Sequence, residues 1–286
     1  MLNARSGWRW LGALGLGLWL GPLTLAANED AIEAEYEHVR KTHAPALVTI
    51  KFVQKTQGSM GNYAGENEIN GVMIAPGGLV LCSNTLLGGG RARYRDGRSV
   101  PTDIKVLIGD DTEGLPATYV ARDTELDLAW LQIKDVGDRR FASVELDAAV
   151  RANIKPRLGQ RLLTLGVMGR YFGQEVLVSE GQVAGRTHKP RELYVVRGSL
   201  DTDPGLPIFT AQGELVGFAC VQQPDADEVS GNAANLLARG RGLVLPVETV
   251  AKATARAREV RDSEEAAAQL EPADEAPEQD EPGEEE

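Results

Sequence analysis

Short apolar runs broken by glycine, proline and aspartate recur along the middle of this 286-residue chain, and they constrain its fold more than any other feature. They are Leu47–Val53, Val72–Ile74, Leu79–Leu81, Ala129–Ile133, Leu162–Leu165, Leu193–Val196 and Leu215–Ala219. None is long enough, or carries the 3.6-residue spacing, for an amphipathic helix; each reads as a strand. With 42% hydrophobic residues the chain can bury a substantial core. The strand-rich stretch, about 210 residues, has a size that one all-β unit of two barrels routinely reaches. Helices flank it on both sides. Asn28 is placed to cap one running to about Lys41, with Ala31, Ile32, Ala34 and Val39 on one face. Pro246 opens another, Val247 to about Arg261, whose Val247, Val250 and Ala251 can pack on a barrel.

The ends differ from the middle. Arg5 and Arg9 precede an apolar run from Leu11 to Ala26, which closes on small residues before Asn28. Residues 1–27 therefore read as a signal peptide, with an uncleaved membrane anchor as the competing reading, and the domain is expected to be exported, periplasmic or secreted. Residues 28–45 read as helix and linker, 46–261 as the double barrel with its closing helix, and 262–286 as a disordered acidic tail. That tail carries 12 acidic and no basic residues, which equals the whole net charge of −12. The remainder balances at 30 acidic and 30 basic groups, so no bulk charge suggests nucleic acid or an anionic membrane as partner. The tail's simplest role is solubility. No Cys/His metal spacing, calcium loop or phosphate-cradling glycine loop is present, so neither metal nor cofactor is expected.

One segment adds chemistry to the pattern. Thr202-Asp203-Pro204-Gly205-Leu206 leads into Pro207-Ile208-Phe209 and, after a turn, Gly213-Glu214-Leu215-Val216-Gly217. Earlier come Ala44–Ile50, Gly71–Ile74, Ser83-Asn84-Thr85-Leu86-Leu87 and Asp123–Ile133; later, Val178–Val183 and Gly242–Val247. In this order the pieces resemble the HtrA/Deg type of trypsin-like serine protease, over about Ala44 to Val250. The resemblance implies a chymotrypsin-like double six-stranded β-barrel. It also implies that Thr85 occupies the catalytic histidine's position, Asp127 the aspartate's and Pro204 the nucleophile's, while Thr202, Asp203 and Gly205 fill the oxyanion loop. Members often carry a PDZ module after the protease; here helix and acidic tail follow instead.

Those substitutions bear on catalysis. Acyl transfer by a serine needs a hydroxyl, a base, a carboxylate to hold the base, and donors for the oxyanion. Pro204 has no nucleophilic atom and no N–H. Thr85 neither binds nor releases a proton near neutral pH. Thr202 is β-branched, which disfavours a positive-φ loop. A catalytically inactive relative is therefore expected, one that binds a peptide or protein, including an active protease of the same fold. Two other readings stand beside it. One is an active serine endopeptidase with a displaced triad, drawing on His38, His43 or His188 and on Ser83, Ser179 or Ser199. The other is a structural envelope protein acting through its tail. All three histidines read as solvated surface groups, Asp127 as a buried carboxylate satisfied by N–H donors, and Gly88-Gly89-Gly90 as a turn. Cys82 and Cys220 read as buried thiols or as a disulfide across the former cleft.

Overall fold

The computed structural model describes residues 21–58, 61–89, 99–198, 200, 202–222 and 241–270. Twelve strands form two closed antiparallel barrels. The first contains β1 (Leu47–Gly58), β2 (Gly61–Ala75), β3 (Leu79–Ser83), β4 (Ser99–Ile108), β5 (Leu115–Asp123) and β6 (Leu128–Ile133). The second contains β7 (Arg161–Val167), β8 (Val176–Thr187), β9 (Leu193–Arg197), β10 (Pro207–Thr210), β11 (Leu215–Cys220) and β12 (Arg241–Pro246). Around the first barrel the order is β1-β2-β3-β6-β5-β4, closed by β1 against β4; the second repeats it as β7-β8-β9-β12-β11-β10. Closure leaves no long open edge for another chain to pair with.

The continuous apolar runs became the strands that are covered on both faces. Every residue of β3 and β11 is buried, because each lies between its own barrel interior and a neighbouring element. Tight turns join them: Gly78, at φ +86°, returns its N–H to Ala75 O at 3.1 Å and lets β2 fold onto β3. Of the strands that no run announced, β10 is buried throughout, while β4 and β5 are partly open to solvent. In β4, Ile104, Val106 and Leu107 are buried while Asp103 is exposed. One large apolar cluster crosses both barrels, and a smaller one around Tyr194, Ile208 and Val216 lies within the second.

Among the described residues three α-helices flank the barrels: α1 (Gly21–His43), α2 (Leu146–Ala152) and α3 (Val247–Leu270). Val247, Val250, Ala253 and Ala257 line the buried face of α3, and Ala251 packs against the same core. Buried Trp130 of β6 donates its indole N–H to Thr254 Oγ1 at 3.0 Å, which fixes the helix to the first barrel. Both long helices overrun the expected limits. The first begins at Gly21, so Asn28 lies inside it rather than capping it. The last continues past Arg261 to Leu270 because Ser263-Glu264-Glu265-Ala266-Ala267-Ala268-Gln269 is mostly strong helix former. The first nine residues of the acidic segment are thus helical, and residues 271–286 lie outside the described residues. So do residues 1–20. Among the described residues no helix is long and apolar enough to cross a membrane.

Candidate functional site

Where the barrels meet, the first barrel contributes the turn between β5 and β6 and the chain that leaves β3. Asp123 caps that turn, its Oδ1 accepting the N–H groups of Glu125 and Leu126 at 3.0 and 2.9 Å. Asp127 follows in a left-handed conformation (φ +59°), one of the few non-glycine residue types that tolerates it. Its carboxylate is buried. Oδ1 accepts the backbone N–H of Thr85 at 2.7 Å, and Oδ2 accepts the hydroxyl of Ser83 at 2.8 Å. The Asp127 carbonyl takes the N–H of Asn84, and Ser83 Oγ in turn accepts the N–H of Leu86. Both carboxylate oxygens are therefore engaged by groups from one short stretch, the best way to keep a buried charge in a protein interior. Thr85 itself is exposed and opens a single π-type turn, Thr85–Gly89, which Gly88 ends at φ +100°. Gly90 lies outside the described residues.

The second barrel contributes the loop before β10. Leu206 N–H closes on Asp203 O at 3.2 Å, with Pro204 and Gly205 between them and Gly205 at φ +90°. This is a Pro-Gly turn of type II character, the proline presetting one φ and the glycine supplying the positive one. Gly205 also donates to Ala219 O at 2.7 Å. A Cβ on Gly205 would lie 2.6 Å from Ser83 N and 2.8 Å from Cys82 C, so the turn rests directly on the first barrel's backbone. Thr202 is held by two hydrogen bonds. Its N–H is bonded to Leu200 O and its hydroxyl to Leu165 O, both at 2.9 Å. Pro204, as a proline, has no N–H to donate. Nearby, Asn70 of β2 reaches across with its side-chain amide, donating to Asp203 Oδ2 at 2.7 Å and Val167 O at 3.3 Å.

Residues 69–218, a little over half the chain, match the trypsin-like peptidase domain. The chain belongs to that family. The two six-stranded barrels are the family's chymotrypsin-like architecture. No curated protein matches the chain.

The histidines make contacts of their own. His43 is half-buried, not solvated as the sequence suggested. Its ring stacks on Phe209 with centroids 4.0 Å apart, and its Nε2 donates to Gly213 O at 2.8 Å. Burial holds its pKa below the ordinary histidine value, and the neighbouring His38 adds to that. His38 and His188 are exposed, the latter in the β8–β9 turn. Ser83 is turned to Asp127 and Ser199 lies outside the described residues. Cys82 and Cys220 are free, buried thiols. Burial, and secondarily the Asp127 charge, raises both; Cys220 is pushed up to about 12, far from a reactive thiolate. Sequence reasoning reached Asp127 and the Pro204 turn. It missed the part of Ser83 as a carboxylate donor and the Asn70 strap, since neither pairing has a local signature.

Proposed function

We propose that this trypsin-like domain, of the HtrA type by its motifs, has lost peptidase activity and serves as an exported binding protein for a peptide or protein partner. One observation carries the proposal: the Asp127 carboxylate is held by Ser83 and Thr85 N–H where an imidazole would stand, opposite a Pro-Gly turn that offers no nucleophile and whose Pro204 has no N–H. Loss of nucleophile and base lowers triad catalysis by about 10⁶, and the residue that normally remains depends on an oxyanion hole. The roles of Thr85, Asp127 and Pro204 as former triad positions, and of Thr202, Asp203 and Gly205 as a former oxyanion loop, belong to this proposal. The export reading rests on residues 1–27.

Binding is supported by the β7–β8 loop. Tyr171 and Phe172 are 93% and 59% exposed and meet edge to face at 5.0 Å, beside an Arg170–Glu68 ion pair that ties the loop to the first barrel. Exposed aromatic pairs of this kind are costly to leave in water and are typical anchors of recognition surfaces. The test is a fluorophosphonate probe and an unfolded, carboxymethylated α-lactalbumin substrate. No labelling and no cleavage are expected, even in Thr85→His/Pro204→Ser, because Ser83 still occupies Asp127 and Thr202 N–H remains bonded. Labelling of any serine in the wild-type chain overturns the proposal and locates a working site.

A further inference from the structure

A second surface lies along α1. Glu29, Ile32, Glu33, Tyr36, Glu37 and Arg40 recur at three- and four-residue steps, so they form one stripe of the helix. That stripe faces Glu175–Val178 of the β7–β8 connection and β8 across an open groove of about 630 Å³. Its floor is apolar: Ile32 and Tyr36 from the helix, Val176 and Val178 from the strand, and Leu177, which remains 42% exposed. Its rim is acidic. Arg40 pairs with Glu37 at 3.0 Å and approaches Glu175 at 3.9 Å, which neutralises one end. Among the described residues no basic group pairs with Glu29 or Glu33 at the other end.

The groove is held open rather than collapsed. Arg161 of β7 binds Glu35 of α1 and Glu180 of β8, both at 2.8 Å, and fixes the helix beside the strand. His43 pins the C-terminal end of α1 through Gly213 and Phe209. A pre-formed groove binds without a reorganisation cost. From Glu29 to Arg40 it runs roughly 16 Å along the helix axis, the length of about three helical turns.

We infer that the α1–β8 groove is a docking site for a basic amphipathic helix of a partner protein, with its cationic turn over Glu29 and Glu33 and its apolar face on Leu177. Charge complementarity selects this occupant: an acidic helix is repelled by Glu29 and Glu33, and an uncharged one leaves them unanswered as it covers them. The unequal rim also sets direction, since the end of the partner lying over Arg40 gains nothing from a positive charge. The groove does not depend on whether the barrel junction is catalytic.

The experiment measures anisotropy of a fluorescein-labelled helical peptide of Leu and Lys, and of its Leu and Glu counterpart, with the full chain. The Leu/Lys peptide is expected to bind and the Leu/Glu peptide not. Leu177→Asp and the exposed pair Glu29→Lys/Glu33→Lys each weaken it by about tenfold or more. The charge-reversed pair should gain the Leu/Glu peptide, a rescue that misfolding cannot produce. A chain ending at Leu270 should bind as the wild type does. Unchanged affinity in both groove variants overturns the inference. So does loss of binding when residues 271–286 are removed, which would make the acidic tail the receptor.

Discussion

The two barrels follow one circular strand order, yet they hold their shares of the junction by different means. In the first, Asp127 is fixed by hydrogen bonds: Ser83 hydroxyl, Thr85 N–H and the Asn84 contact to its carbonyl. In the second, the Asp203–Leu206 turn is fixed by backbone conformation, a proline for one φ and a glycine for the other, and by its rest against Cys82 and Ser83. A network of donors is specific to one acceptor. A steric seat is specific to one shape. The junction combines both, and each half depends on contacts with the other.

The contrast breaks most severely at Gly205. Gly205→Ala places a Cβ against the Ser83 and Cys82 backbone, which cannot rotate away, at a φ that alanine resists. We expect a loss of about 3 kcal/mol or more, read from the urea midpoint. A near-neutral result would mean the turn is free of the first barrel. Asp127→Ala is next: it leaves the buried Ser83 hydroxyl and Thr85 N–H without their acceptor, for about 2–3 kcal/mol. Asp127→Asn sharpens the comparison, because asparagine accepts the left-handed backbone and one donor, and should cost less than half as much. Asn70→Ala removes the strap to Asp203 and Val167 and should cost about 1 kcal/mol, by thermal melting, as the pair is only half-buried.

The smallest effect is a pH dependence at His43. Burial lowers its folded pKa below the unfolded value of about 6.5, so between the two values the unfolded chain binds more protons. Stability is intact above pH ~6.5 and declines as the pH falls through that window. Melting temperatures of wild type and His43→Phe, which keeps the stack on Phe209, should diverge below pH ~6.5 and not above it. Parallel curves would show that His43 does not sense protonation in the fold.

Legibility in the sequence followed the same division. Two doubly covered strands were plain as apolar runs, Leu79–Leu81 and Leu215–Ala219, whereas β5 was not read because most of it is open to water. The small α2 passed unread: only Leu146 and Ala149 of its seven residues are buried. At the junction, Asp127 and Pro204 were legible through neighbours that are local in the chain. Asn70 and Asp203 are 133 residues apart, and His43 and Gly213 170 apart, so only the closed barrels bring them together. That is why His43 looked like a surface residue. Helix ends erred for a local reason: capping signals mark where a helix can start, while Leu23, Leu25, Ala26 and Ala27 let it begin sooner.

The shared strand order also sets a timetable for a chain leaving the ribosome. In each barrel the first strand waits for the fourth and the third for the sixth, so neither ring is complete until its last strand has emerged. The first ring closes once Ile133 is out, long before the second is synthesised, in keeping with N-terminal units folding first. Its cover arrives much later. The partner of Trp130, Thr254, lies 124 residues downstream, beyond the whole second ring. Until that helix docks, one wall of the nascent first barrel stands bare, and translation speed across those residues governs how long it does so.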